Sequence, residues 1–106
     1  MQEQPNLDYI NQLSKSNLDL KNRLISVLKS EFPEEVKVYE TNMNTYNYQE
    51  AAENVHKLKH KVALLGLEQG NDITRNFEEQ LRNDRNEGQN DFEEILVNIK
   101  FFLNKL

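Results

Sequence analysis

Asn47-Tyr48-Gln49-Glu50-Ala51-Ala52-Glu53-Asn54-Val55-His56-Lys57-Leu58-Lys59-His60-Lys61-Val62-Ala63-Leu64-Leu65-Gly66 is the stretch that decides how this chain folds. Ala51, Val55, Leu58, Val62 and Leu65 recur in alternating steps of four and three, the spacing of a helix with one buried seam. Asn47, followed three residues later by Glu50, reads as a capping box that opens the helix, and Gly66 reads as its stop. The signature helix is therefore predicted at about residues 48–65. A helix buried along one stripe needs neighbours, and the flanking sequence supplies them.

Upstream, a short helix is expected over Asn6 to Ser14, with Leu7, Ile10 and Leu13 on one side. Asn17 is placed to cap a second, whose stripe is Leu20, Leu24, Val27 and Leu28. Pro33 suits a first helical turn, and Glu34 and Glu35 suit the positive end of a helix dipole. Whether Pro33 separates two helices or kinks one stays open at this point; the element carrying Val36, Tyr39 and Met43 ends near Thr45. Downstream, a helix is predicted from Glu68 to Asn83, burying Ile73, Phe77 and Leu81. Asp84 to Gln89 reads as a loop. Asn90-Asp91-Phe92-Glu93 reads as a second capping box, ahead of a stripe of Phe92, Ile95, Ile99, Phe102 and Leu106. No segment alternates with period two between hairpin turns. The short connections make the later helices antiparallel neighbours. The expected fold is all-α: an antiparallel up-and-down four-helix bundle with an additional N-terminal helix or helices. Residues 1–106 are read as one domain, with residues 1–16 as a short N-terminal helix and linker.

Composition narrows the function. The 106 residues suffice for one modest core. A net charge of −5 argues against non-specific nucleic-acid binding, which needs clustered cations. The absence of cysteine removes disulfides and thiolate metal sites. The start lacks the basic and apolar regions of a signal peptide, and the apolar run from Val62 to Leu67 is too short to span a bilayer. The expectation is a cytoplasmic protein that meets neither membrane nor nucleic acid. No glycine-rich phosphate loop and no Ser-His-Asp set is present, so no kinase or hydrolase of its own is expected.

The chemistry gathers beside the seam. His56 lies about 100° around the helix from Val55, and Lys59, His60 and Ala63 follow at neighbouring positions, with Ala52 one turn before. This reads as a water-facing stripe of small, imidazole, lysine, imidazole and small side chains, with Ala52 and Ala63 leaving room for another protein to dock. The bland reading is a solvated face. His56 and His60 also have a spacing that can chelate a metal. However, Lys57 stands where the zinc-protease pattern needs Glu, three lysines repel a cation, and no third ligand is indicated. No metal and no cofactor is expected.

His56, Leu58, Lys59 and Gly66 match a family pattern of histidine, aliphatic residue two on, lysine three on and glycine ten on. With Ala51-Ala52 and Phe32-Pro33-Glu34 upstream, the segment from roughly Leu18 to Leu81 resembles the histidine phosphotransfer (HPt) domain of two-component phosphorelays. His60 departs from the pattern, which usually has glycine there; it either hydrogen-bonds phosphate or competes as acceptor. The resemblance implies that His56 is the phospho-acceptor and that Lys59 supplies charge to the phosphoryl oxygens. It also implies that a residue on the following helix orients the imidazole. Glu78, twenty-two residues after His56, matches that offset, and Arg75 is a further candidate one turn earlier. The implied protein is a monomeric carrier that is not itself an enzyme. Its implied partners are response-regulator receiver domains and a hybrid sensor histidine kinase. The competing reading is a helical adaptor or scaffold without phosphotransfer.

Overall fold

A computed structural model describes residues 3–106, and every regular element among them is helical. The elements are α1 (Asp8–Ser14), α2 (Leu18–Asn44), α3 (Tyr48–Leu64), α4 (Glu68–Arg82) and α5 (Gln89–Asn104). Helices α2 to α5 form the antiparallel bundle, each packed on the next and α5 closing back on α2, while α1 packs against α2. The molecule is elongated, 44 × 25 × 20 Å. Its long axis follows α2, whose 27 residues span about 40 Å at 1.5 Å per residue. Among the described residues no helix is long and apolar enough to cross a membrane.

Of the two readings open at Pro33, the structure shows the single helix: α2 runs from Leu18 to Asn44 with Pro33 inside it. Pro33 is exposed, so the backbone carbonyl it leaves without a donor faces water, while Phe32 and Tyr39 on the opposite side are buried and hold the helix to the core. Glu34 and Glu35 therefore sit mid-helix, and the first turn carries Asp19 behind an Asn17 cap that accepts from the Leu20 amide at 3.0 Å. Tyr39 of α2, Phe77 of α4 and Phe92 of α5 meet in the core, with ring centroids 5.2–6.3 Å apart. The Tyr39 hydroxyl donates to Glu93 Oε2 at 2.8 Å, so its buried polar end is satisfied.

The seam of α3 is as expected: Ala51, Val55, Leu58, Val62 and Leu65 have no solvent exposure. The helix ends in a Schellman motif, with the Gly66 amide on the Ala63 carbonyl at 3.0 Å and the Leu67 amide on that of Val62 at 3.3 Å. Gly66 has φ +77°, a conformation that favours glycine. Its start differs from expectation, because Asn47 makes no side-chain cap. The second capping box fails likewise: α5 begins two residues earlier, behind Gly88, and places Asn90 inside its first turn. Leu13, Val27 and Leu106 are exposed rather than buried, whereas Leu96 and Leu103 complete the inner face of α5. The N-terminal segment crosses the α3–α4 turn. The Asn6 amide bonds the Leu65 carbonyl, and the Glu3 carboxylate accepts from the Gln69 and Gly70 amides. Glu3 thus caps α4 from across the fold, which local sequence could not announce.

Candidate functional site

Helices α3 and α4 lie antiparallel, with Gln49 Nε2 bonded to the Arg82 carbonyl at 3.1 Å at one end and the Gly66 turn at the other. This register sets His56 opposite Glu78. The His56 side chain is 48% exposed, and its Nδ1 lies 3.1 and 3.3 Å from the two Glu78 oxygens. Lys59, one turn along, donates to Glu78 Oε1 at 3.1 Å. Among the described residues, Nε2 of His56 has no protein partner.

Glu78 is the hub. Its side chain is only 11% exposed, and Arg82 grips it from the next turn of α4 through Nη2 at 2.9 Å and Nε at 3.2 Å. Arg82 in turn pairs with Glu53 through Nη1 at 2.8 Å. Burial alone would raise the Glu78 carboxyl, but hydrogen bonds from Arg82 and Lys59, with the charges of Lys59 and His56, outweigh it. They hold the group below its usual carboxylate range. Glu78 is therefore ionised at neutral pH, an acceptor for the Nδ1–H of a neutral imidazole.

Four of the predicted site residues gather here: His56, Lys59, Glu78 and His60, whose ring lies 5.4 Å from that of His56 at 87°. Ala63 is exposed on the same stripe. Ala52 is not part of that surface. It is fully buried, because α4 lies along that flank of α3 and an alanine holds no neighbour away. Arg75 is also outside the cluster; it pairs with Asp72 at 2.8 Å in open solvent. The arginine that joins is Arg82, and its signal was present as the i, i+4 spacing from Glu78, as was the i, i+3 spacing of Glu53 from His56. Among the described residues no group of three or more His, Asp or Glu is placed to hold a metal ion.

Comparison with protein families matches residues 23–103 to the model described as the Hpt domain. The chain belongs to the Hpt-domain family. No curated protein and no solved structure matches it significantly. Hpt domains are helical bundles that carry phosphoryl groups on histidine in phosphorelays; they are carriers and not kinases, and they exchange with receiver domains.

Proposed function

We propose that His56 is the residue that accepts a phosphoryl group from a receiver-domain aspartate and passes it to a second receiver. The observation that carries this reading is the tether of Nδ1 to a buried, ionised Glu78 on a half-exposed ring, which leaves Nε2 free toward water. The lone pair of Nε2 attacks phosphorus, the bond from phosphorus to the aspartyl oxygen breaks, and the carboxylate leaves with its electron pair. The ring becomes cationic as the bond forms, and Glu78 stabilises that charge through the Nδ1–H. Return transfer reverses each step. Lys59 rests on Glu78, within reach of the imidazole, and supplies positive charge to the phosphoryl oxygens in flight.

Receivers dock, in this reading, over the stripe of His56, Lys59, His60 and Ala63, because in-line transfer needs contact around the ring. An upstream hybrid sensor histidine kinase loads the relay, and the exchange is cytoplasmic, in accord with a cysteine-free composition. The test is incubation with a phosphorylated receiver domain. The chain should take up an acid-labile label that His56→Gln abolishes, with helical circular dichroism unchanged. Label that survives in His56→Gln and is lost in His60→Gln would overturn the assignment.

A further inference from the structure

His60 has no task in the chemical step just described beyond its place in the docking stripe, yet it stands where the family pattern usually leaves only glycine. It is exposed one turn beyond His56, with its ring set edge-to-face at 5.4 Å and 87°. Among the described residues no carboxylate pairs with it, whereas Lys59 is engaged with Glu78, and Arg82 with both Glu78 and Glu53. Lys57 also has no carboxylate partner but projects about 100° around the helix from His56. A phosphoryl group on Nε2 brings negative charge and three strong acceptor oxygens into this space. An imidazole always keeps at least one N–H donor. His60 is then the neighbouring donor not already committed to a carboxylate.

The same geometry separates the two roles open to a second histidine. A phospho-accepting ring is helped by an anchored second nitrogen that disperses the charge formed on attack. His56 has that anchor in Glu78; His60 has none. We propose that His60 is a phosphoryl-binding residue, donating a hydrogen bond to the group carried on His56 and slowing its loss to water. This rests on His56 being the acceptor. In that loss, a water oxygen adds to phosphorus and the Nε2–P bond breaks with its electron pair returning to the ring. Orthophosphate departs, and the protons of water are shared between it and the solvent. A donor on the phosphoryl oxygens stabilises the group before water attacks and occupies one side of the approach. The carrier becomes longer-lived than one with glycine at this place.

The test needs no partner protein. Phosphoramidate loads the full chain: Nε2 attacks phosphorus, the P–N bond breaks and ammonia leaves. Decay of phosphohistidine is then followed by phosphorus NMR in wild type, His60→Gly, His60→Leu and His60→Gln, with circular dichroism to check each fold. We expect decay several-fold faster in the glycine and leucine variants, and a lifetime close to wild type for glutamine, whose amide restores an N–H donor. Equal lifetimes in all four proteins, or a leucine variant that matches wild type through bulk alone, would overturn the proposal. His56→Gln is the control on the underlying reading. If it still carries label, the acceptor assignment falls and this inference with it; if it carries none while the lifetimes are equal, only this inference falls.

Discussion

Toward α2, Lys61 of α3 lies between two carboxylates, Glu31 at 3.0 Å and Glu35 at 3.1 Å; toward α4, Glu78 lies among His56, Lys59 and Arg82, and Arg82 also pairs with Glu53. Each flank ties α3 to its neighbour through lysine and glutamate, and the α4 flank adds a histidine and an arginine. The ratio of charges differs. On the α2 flank the carboxylates outnumber the cation, and Glu35 Oε1 is buried without a donor among the described residues, so an incoming anion is repelled. On the α4 flank Lys59 and Arg82 balance Glu78 and Glu53, and His56 adds an imidazole whose Nε2 has no protein partner among the described residues. Charge balance, together with an imidazole present on one side only, makes one flank a strut and the other a site.

Exchanging the two lysines for alanine tests this most strongly. Lys59→Ala should slow phosphoryl transfer roughly 10²-fold, the effect of losing one electrostatic donor to a reacting oxyanion. It should lower stability by less than about 1 kcal/mol, because Arg82 still holds Glu78. Lys61→Ala should do the reverse. Its side chain is only 12% exposed, and losing charged hydrogen bonds to a half-buried partner costs about 1–2 kcal/mol. Transfer should be unchanged. Rapid-quench transfer assays paired with urea unfolding separate the outcomes, and a Lys61→Ala protein that transfers slowly would erase the distinction between the flanks.

The two flanks were not equally legible from sequence. The seam and the positions of His56 and Lys59 beside it follow from helical periodicity on α3, which sequence carries strongly. The offset to Glu78 is legible only through the family resemblance. Arg82 was passed over for Arg75, although both lie near Glu78 along the chain. Which turn of α4 faces α3 depends on helix register, and Asp72 already satisfies Arg75. Ala52 looked like part of the surface because a helical wheel shows direction but not how closely the next helix approaches. At Pro33 the sequence leaves a boundary and a kink both open, because its local cost is real, about 3 kcal/mol in a helix interior. The burial of Phe32 and Tyr39 on either side of it is a tertiary term that overrides that preference. The Glu3 cap on α4 spans 66 residues of chain to Gln69 and has no local signature at all.

Acid offers a gentler probe of the α4 flank. The folded-state pKa of Glu78 is lowered, so its carboxylate contributes stability that is fully present above the unfolded carboxylate value. That contribution is lost as pH falls through the folded value. Glu78→Gln should therefore be less stable than wild type near neutrality, by on the order of 1 kcal/mol for a charged hydrogen-bond set replaced by a neutral one. The gap should close as pH drops below the ordinary carboxylate range. Thermal unfolding of both proteins across acid and neutral pH measures it. A gap that stays constant with pH would mean that the Glu78 charge is not what holds the cluster. Transfer should fall less than in Lys59→Ala, because the carboxamide oxygen still accepts from Nδ1.

The smallest effect is expected at Glu31, and its smallness is the point. Its side chain is 54% exposed, so its ion pair with Lys61 is largely screened by water, and such pairs contribute about 0–1 kcal/mol. Lys61 also keeps a second partner, Glu35, which is better shielded at 25% exposure. Glu31→Gln should therefore shift stability by no more than about 0.5 kcal/mol. It should leave transfer untouched, because among the described residues no hydrogen bond or ion pair links the His56 cluster to α2. A comparable loss of one partner on the α4 flank would free a donor next to the imidazole; here it frees a lysine that simply stays on Glu35. If Glu31→Gln instead changed the transfer rate measurably in the same rapid-quench assay, charge on the α2 flank would be reaching His56 through α3. The two flanks would then have to be treated as one electrostatic unit.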